Sequence, residues 1–299
     1  MTYWGKTTYA GNDPPWELRA VEGKGYCAYS TRRFEKGDLI CTETPTVWAP
    51  GHHPFSPEQM AEIDRRVEAL GDEERGAFFA MANVFPEAET VAAGIFMTNS
   101  FDMTDSVHGE ACAMYCALAR LNHSCTPNAQ QTHLPETGEE VLYASCAIEA
   151  GEEINDCYIE LRQTTASRRR ALGEIYRFDC ECHACARADP KDDANRTRAV
   201  KLDELVVSTA AEMGAELALD VALQAVRLIS SSECAGWGER FIADSHMTVC
   251  QIAEALGKRE LAQKHRAIAL DINRVYQGSR SPLTLRLASQ MINSTRLQR

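Results

Sequence analysis

Three cysteines near the middle of the chain place the strongest constraint on how it can fold. In the stretch FDCECHACA, Cys180, Cys182 and Cys185 form a C-x-C-x2-C run, and three thiolates so close together can converge on one metal ion. A structural zinc site takes four ligands, so a fourth must come from elsewhere. His183 lies inside the run but would have to fold back sharply, whereas Cys125 can reach the ion if the chain returns on itself. Unligated buried thiols are the alternative.

The composition indicates a globular protein with reduced thiols. The chain has 299 residues, 44% hydrophobic and 25% charged, which is enough for a sizeable core in about two domains. No stretch approaches the roughly 18 apolar residues of a membrane span, and the start MTYWGKTTYAGND lacks the basic and apolar runs of a signal peptide. We therefore expect a cytoplasmic or nuclear location, where clustered cysteines more often bind metal than form disulfides.

The charge of the chain narrows the choice of partner. A net charge of −12 argues against a surface for nucleic acid or for an anionic membrane, and it is compatible with a basic peptide or an amine. We expect no direct contact with nucleic acid or membrane, and we expect a monomer.

The first part of the chain has the pattern of short strands followed by helices. Between Trp16 and Trp48, runs such as WELRAV, YCAYS and LICTETPTVW are rich in strand formers and predict an antiparallel meander. Ser56, Pro57 and Gln59 make a capping-box start, after which Met60, Ile63, Val67 and Leu70 share one helical stripe. A second helix is predicted over DEERGAFFAMANVF, and we expect both helices to pack against the core rather than to take part in chemistry.

The last third of the chain is predicted to be helical. ARADPKDDANRTR reads as a charged link, and the three long segments beyond it have helical periodicity, with Gly257 and Gly278 where helices would end. Two or three helical hairpins follow, either as a brace on the first domain or, with less support, as tetratricopeptide-like pairs.

The segment RLNHSCTPN, Arg120 to Asn128, is too polar for a core segment and too rich in potential ligands for an ordinary turn. It follows Ala111–Leu121, which reads as an apolar helix with Cys112 and Cys116 on one face. His123 and Cys125 could suggest a thiol nucleophile and its base, but no separate orienting group accompanies them. The other cysteines stand singly and read as buried small residues, namely Cys27, Cys41, Cys146, Cys157, Cys234 and Cys250.

Taken together, GKGY, NSF, RLNHSCTPN, GEEINDCY and YRFDCECHAC stand in the order and spacing of a SET domain, and they resemble the SMYD branch of that family. The resemblance implies an α+β fold of small curved β-sheets with a knot-like crossing of the NHSC segment. It implies a SET domain over 1–186, with a helical insert at about 51–110 and a zinc-binding post-SET segment at 176–186. An all-α region then occupies 187–299.

The resemblance also implies a cofactor, a metal and a set of site residues. The cofactor is S-adenosylmethionine, and the metal is a structural zinc held by Cys125, Cys180, Cys182 and Cys185. The residues that match cofactor-binding positions are Gly23, Lys24, Gly25, Tyr26, Asn99, Ser100, Asn122, His123, Tyr158 and Phe178.

The activity implied by the resemblance is methyl transfer to a lysine amine of a protein, histone or non-histone. Tyr158 matches the tyrosine that orients the amine at the transferring methyl group, and Tyr176 matches a second aromatic residue of the lysine channel. A narrow apolar channel favours the neutral amine that the transfer needs, so no strong general base is required. The alternative for Tyr158 is a structural role, as a tyrosine in a strand whose hydroxyl already has a hydrogen-bond partner in the protein.

The sequence departs from the SMYD pattern in ways that leave other functions open. No cysteine lies between Cys41 and Cys112, so we expect no MYND zinc finger there. Asp156 stands two residues before Tyr158, where relatives have an apolar or small residue, and it could face solvent or the channel. The C-terminal helical region is also shorter than in long members of the branch. A small-molecule acceptor and a catalytically silent scaffold that binds a partner are the two rival hypotheses.

Overall fold

The computed structural model describes residues 6–9 and 14–296, and the described chain forms two compact units. The first unit runs up to Asn122 and resumes at Asn128–Asp156, and the second contains His123–Pro127 and everything from Cys157 onward. Most of the segment used for the signal-peptide prediction lies outside the described residues. The predicted boundary at residue 186 stays a prediction.

The first unit is built on small antiparallel sheets. Its largest sheet contains the strands β1 (Thr7–Tyr9), β4 (Leu39–Glu43), β9 (Ala129–Leu134) and β10 (Glu139–Ala144). Their order is β1-β4-β10-β9, and in the centre of the sheet Val141 lies opposite Thr42 on one side and Thr132 on the other.

The remaining strands do not form the predicted meander. Strands β2 (Trp16–Val21) and β3 (Gly25–Ser30) form one hairpin. Strand β4 pairs with β1 and β10 instead, and LICTETPTVW is split because its second half enters a different sheet. That three-stranded sheet consists of β5 (Val47–Pro50), β7 (Gly109–Met114) and β6 (Ser100–Asp105), in the order β5-β7-β6. Pairing partners distant in sequence cannot be read from local strand propensity.

Three helices pack on the first unit, and two of them were predicted. Helix α1 (Pro57–Glu68) begins with the expected capping box, since Ser56 Oγ accepts from the Gln59 N–H and the Gln59 side chain accepts from the Ser56 N–H. Helix α2 (Asp72–Phe79) ends before the predicted segment does, and α3 is Val91–Asn99. Ile63, Val67 and Phe78 lie in a core that these helices share with β5 and β7.

The predicted helix over Ala111–Leu121 is wrong. Its first residues belong to β7, and only Leu118–Arg120 form a short 3-10 helix. Cys112 and Cys116 are nevertheless buried in the core, as expected, although they do not share a helix face. Apolar runs of this length suit a buried strand as well as a helix, and here the cross-strand partners decide.

Among the described residues, the second unit consists of helices and loops apart from His123, which ends the short strand β8 (Asn122–His123); the other short strand, β11 (Asn155–Asp156), belongs to the first unit. The predicted charged link is wrong, because Pro190 occupies the first turn of a long helix that starts within it, with Asp189 as its N-cap. The helices are α4 (Thr165–Tyr176), α5 (His183–Arg187), α6 (Pro190–Glu212), α7 (Ala215–Ile229), a 3-10 turn (Ser232–Cys234), α8 (Glu239–Ala255), α9 (Arg259–Tyr276) and α10 (Pro282–Arg296).

The helix ends at Gly257 and Gly278 are confirmed, since both glycines take a positive φ just after α8 and α9. The fold is α+β with small sheets and a helical C-terminal region, as predicted. None of the described helices is long and apolar enough to cross a membrane. All twelve cysteines lie within the described part and none forms a disulfide, but Cys146 is exposed rather than buried.

The two buried histidines of α8 and α9 make the second unit sensitive to acid. The rings of His246 and His265 lie 4.8 Å apart. Burial lowers the pKa of His246 to about 4 and also lowers the pKa of His265, and the nearby Lys264 adds to both shifts. Between pH 6.5 and 4 the unfolded chain takes up a proton at His246 that the folded chain does not, so stability falls as the pH falls.

We expect His246→Gln to reduce the loss of stability on acidification from pH 7 to pH 4 by about 3 kcal/mol. Urea unfolding followed by circular dichroism at a series of pH values measures this. A pH dependence as steep in the variant as in the wild type would contradict the assignment.

Candidate functional site

The NHSC segment is preceded by a turn that a buried carboxylate holds. The Glu43 carboxylate of β4 accepts hydrogen bonds from the backbone N–H groups of Ala117 and Leu118, at 3.0 Å each. Burial raises the pKa of Glu43 to about 7, although these hydrogen bonds oppose the rise. Its two partners start the 3-10 helix that ends at Arg120, two residues before Asn122. Sequence analysis missed Glu43 because nothing in its strand marks a buried acid.

The Asn122 carboxamide is held by hydrogen bonds within the first unit. Its Nδ2 lies 3.1 Å from three acceptors: the Tyr26 carbonyl oxygen, Cys27 Sγ and Glu153 Oε1. The other carboxylate oxygen of Glu153 lies 3.5 Å from Lys24 Nζ. The structure therefore brings Lys24, Tyr26 and Asn122 together around Glu153, a residue that sequence analysis did not single out.

The turn at Gly23 and Gly25 has the backbone that the GKGY motif predicts. Both glycines take a positive φ, 76° and 78°, in the tight connection between β2 and β3, where the Lys24 N–H donates to the Val21 carbonyl at 3.1 Å. Positive φ is favourable for glycine and strained for most other residues. A Cβ at either glycine would meet nothing within 4 Å, so a ligand can approach this backbone closely.

Asn99 and Ser100 lie where α3 runs into β6. The Asn99 carboxamide donates to the carbonyl oxygens of Ala82 and Ile95, at 2.8 and 2.7 Å. The Ser100 hydroxyl is buried and has no hydrogen-bond partner among the described residues. Asn99 therefore holds the adjoining loop, and the Ser100 hydroxyl is the member of the pair with unused hydrogen-bonding capacity.

Asp156 is one of the buried acidic residues of the first unit. Only 6% of its surface is exposed, so the alternative in which it faces solvent is wrong.

His123 belongs to the second unit and has both ring nitrogens engaged. The backbone N–H of Tyr158 donates to Nδ1 at 3.0 Å, which leaves the proton of the neutral ring on Nε2, 3.3 Å from Cys125 Sγ. Burial lowers the pKa of His123 to about 4. The ring is therefore neutral at pH 7 and fixes the position of the Tyr158 backbone.

The aromatic residues that the motifs predicted lie together in the second unit. Tyr158 lies between His123 and Tyr176, with ring centroids 5.4 and 5.0 Å away, and Phe178 lies 6.4 Å from His123. The Tyr176 hydroxyl donates to the Tyr158 carbonyl oxygen at 3.4 Å. Arg177 ends α4 in a left-handed conformation, with φ 57°. We call His123, Tyr158, Tyr176 and Phe178 the aromatic cluster.

The four predicted metal ligands also lie together. The sulfur atoms of Cys125, Cys180, Cys182 and Cys185 are all within 4.8 Å of one another, and those of Cys125 and Cys185 are 3.6 Å apart. Hydrogen bonds from the other three thiols lower the pKa of Cys182. His183 is exposed and is not part of the group. Four converging sulfurs, three of them on buried residues, fit the tetrahedral thiolate set that zinc prefers.

A second group of possible metal ligands was missed by sequence analysis. Asp102 lies directly opposite Cys112 in the pairing of β6 with β7, and Asp102 Oδ1 lies 3.1 Å from both Cys112 Sγ and His52 Nδ1. Burial and the hydrogen bond to Asp102 raise the pKa of Cys112 to about 12. The wrong helix prediction for Ala111–Leu121 concealed this cross-strand pair. His52 and Asp102 are solvent-exposed, and the three side chains form a hydrogen-bonded group.

Residues 25–159 match the family model of the SET domain. The histone-lysine N-methyltransferase set5 of Schizosaccharomyces pombe is 28% identical over 166 residues, which are 56% of this chain and 49% of that protein. The N-lysine methyltransferase SMYD2-B of Danio rerio is 35% identical over 189 residues, 57% of this chain and 43% of that protein. The histone-lysine N-methyltransferase SMYD3 of Mus musculus is 35% identical over 100 residues, which are 32% of this chain and 22% of that protein. The chain spans less than half the length of each of these relatives.

Proposed function

We propose that this chain, which carries a SET domain of the SMYD-like branch over residues 25–159, is an S-adenosylmethionine-dependent protein-lysine N-methyltransferase. Set5, SMYD3 and SMYD2-B are lysine methyltransferases by name. The observation that carries the proposal is the aromatic cluster, because it brings together four of the residues that the motifs assigned to the cofactor and the lysine channel.

The proposed cofactor supplies an electrophilic methyl group on a sulfonium. In the first unit, Lys24 and Asn122 offer an ammonium and a carboxamide to its carboxylate and polar groups, and the backbone at Gly23 and Gly25 permits close approach. In the second unit, Phe178 offers a ring for the adenine to stack on. Both ring nitrogens of His123 have protein partners, so we assign its contact with the cofactor to its backbone.

The proposed acceptor is a lysine amine surrounded by aromatic side chains. Its pKa in water is about 10.4, and a dry aromatic channel disfavours the ammonium form, so the proton leaves to solvent. The nitrogen lone pair then forms the bond to the methyl carbon while the sulfur–carbon bond breaks. Tyr158 orients the amine through its hydroxyl and Tyr176 limits its movement, which is catalysis by positioning. A basic peptide suits the net charge of −12.

The proposed metal is a structural zinc held by Cys125, Cys180, Cys182 and Cys185. Its folding role would be to join the NHSC segment to the tail that follows α4, since metal-binding free energy contributes directly to folding when the ligands come from distant segments. A cytoplasmic or nuclear location, also proposed, would keep these thiols reduced.

Binding of the cofactor is the first property to measure. We expect calorimetric titration with S-adenosylmethionine and S-adenosylhomocysteine to show saturable binding, and we expect Asn122→Ala to weaken it about tenfold or more through lost hydrogen bonds. Gln130→Ala, which changes an amide in β9 outside the predicted set, is the control and should bind normally. A folded, zinc-loaded wild type that binds neither compound would favour the catalytically silent scaffold.

Tyr158→Phe tests the assignment of the methyl-transfer step. We expect its turnover to fall about 100-fold, because the amine loses its orienting hydroxyl, while cofactor affinity stays within twofold. Transfer of labelled methyl groups to recombinant histones and to a panel of small amines measures the effect and separates a protein acceptor from a small-molecule one. Tyr143→Phe in β10 is the matched control. Equal turnover by Tyr158→Phe and wild type would contradict the proposed role.

Cys182→Ser tests the zinc site. The variant should retain less than one zinc per chain and should lose about 5 °C or more in its thermal midpoint, because an incomplete site contributes less folding free energy. Atomic emission and thermal denaturation measure the two quantities. Cys146→Ser, at an exposed cysteine outside the cluster, should change neither. A Cys182→Ser chain with full zinc and an unchanged midpoint would disprove the four-cysteine site.

A further inference from the structure

A thiol, a carboxylate and an imidazole meet at the three-stranded sheet of the first unit. Cys112 Sγ donates to Asp102 Oδ1 at 3.1 Å, and His52 Nδ1 lies 3.1 Å from the same oxygen. One ligand atom from each of the three side chains lies within 4.8 Å of the other two. Sulfur, imidazole nitrogen and carboxylate oxygen are the three kinds of side-chain ligand that bind zinc in proteins.

The pairing of the strands fixes two of these side chains. Cys112 lies in the central strand β7, directly opposite Ala49 of β5 on one side and Asp102 of β6 on the other. Directly opposed residues of an antiparallel pair have their side chains close together. The contact between the thiol and the carboxylate therefore follows from the register of the sheet.

The turn after β5 brings the third side chain to the same place. Gly51 has φ 78°, and its N–H donates to the Glu110 carbonyl oxygen of β7 at 2.9 Å. A Cβ at Gly51 would lie 2.5 Å from Gln59 Nε2 of α1, so both the backbone conformation and the space require glycine. His52 thus follows a turn that is held to β7 on one side and packed against α1 on the other.

The separations between these atoms suit a shared metal ion. In a tetrahedral site with the usual zinc–ligand bond lengths, neighbouring ligand atoms lie about 3.4–3.6 Å apart. The two distances of 3.1 Å to Asp102 Oδ1 reach this range with a shift of about half an ångström, well within side-chain rearrangement. The three segments therefore already hold the ligand atoms close to the positions that an ion needs.

The group is open to solvent on the side of its polar members. The side chains of Asp102 and His52 are 73% and 40% exposed, whereas Cys112 is buried. An ion from solvent can reach the carboxylate and the imidazole directly, with the thiol at the base of the site. Three protein ligands leave a position for water, and a sulfur and nitrogen set favours zinc-like ions over magnesium and calcium.

A neighbouring acid–histidine pair shows what a purely structural arrangement looks like here. The buried carboxylate of Asp105 accepts from the backbone N–H groups of Val107 and His108, and its other oxygen lies 2.9 Å from His108 Nδ1. Among the described residues, Asp102 accepts from no backbone N–H and contacts the two side chains that can also bind metal. Hydrogen bonds of an exposed carboxylate contribute little to folding, so the structural role explains Asp105 better than Asp102.

We propose that His52, Asp102 and Cys112 form a second metal site, distinct from the four-cysteine cluster, for a divalent transition-metal ion such as zinc. As the sulfur–metal bond forms, the thiol proton leaves to solvent, and the imidazole carries its proton on Nε2 so that Nδ1 can bind. The inference goes beyond methyl transfer and does not depend on it. A bound ion would join β6, β7 and the turn after β5.

The experiment titrates the full-length, zinc-loaded chain with Co²⁺, whose absorption spectrum reports thiolate ligation. We expect one further equivalent to bind with a thiolate-to-cobalt absorption band. His52→Ala and Asp102→Asn should each weaken this binding by about tenfold or more, since even the loss of an outer partner typically costs 10–100-fold. Cys112→Ala should remove the band, and any absorption that it retains belongs to cobalt in the four-cysteine cluster.

Two control variants remove the same chemical groups from exposed positions outside the site. Glu110→Gln removes a carboxylate from β7, and Cys146→Ser removes a thiol; both should bind cobalt as the wild type does. A wild type that binds no further equivalent overturns the inference, as does equal affinity in wild type, His52→Ala and Asp102→Asn. Should Cys112→Ala not fold, the variants at the two exposed ligands decide.

Thermal denaturation provides a second readout that a merely hydrogen-bonded group would not change. Added zinc should raise the thermal midpoint of the zinc-loaded wild type further, because the ion binds the folded arrangement of the three segments. The rise should be smaller in His52→Ala and in Asp102→Asn than in Glu110→Gln. An equal rise in all of these chains would place the added zinc elsewhere and overturn the assignment.

Discussion

The convergence of Cys125 with Cys180, Cys182 and Cys185 is the contact on which the second unit depends. Cys125 lies 57 residues before Cys182, and closing so long a loop without a strong interaction is entropically unfavourable. Cys125 lies two residues after His123, and His123 in turn fixes the backbone of Tyr158. The position of the aromatic cluster therefore follows from the same closure that brings the four sulfurs together.

The neutral ring of His123 links the two proposed sites within this unit. One nitrogen accepts from the Tyr158 backbone and the other lies beside Cys125. A disturbance at the sulfur cluster can therefore reach the tyrosine proposed to orient the amine through a single side chain. In the first unit, Glu153 has a comparable position, because it holds both Asn122 and Lys24. Each unit thus orders its share of the proposed cofactor residues by itself.

The features that could be predicted best are those that depend on the spacing of residues close together in the sequence. The capping box of α1 and the three clustered cysteines could be read directly, and resemblance to SET domains supplied Cys125 and the aromatic residues. Pairing between distant segments could not be read in the same way. The run LICTETPTVW was predicted as part of a meander, yet its halves enter different sheets, and the Asp102–Cys112 pair depended on a register that no local pattern shows.

Buried charged residues were also missed, for a related reason. Glu43 has hydrogen-bond partners 74 and 75 residues away, and Arg168 of α4, which is fully buried, stands among the similar residues Arg169 and Arg170. An arginine or a glutamate reads as a surface residue unless its partner is known, since most such residues are exposed. The polar residues that organise the site were therefore the hardest part of it to recognise.

The division of the chain between its two units has a consequence for how the protein could be dissected. The backbone passes from one unit to the other three times, after Asn122, after Pro127 and after Asp156. No single cut therefore yields two fragments that each contain one whole unit. A fragment ending at Asp156 would keep Cys125 but lose its three sulfur partners, and a fragment starting at Cys157 would lack His123. A fragment that contains one unit whole must therefore include the chain on both sides of these three points.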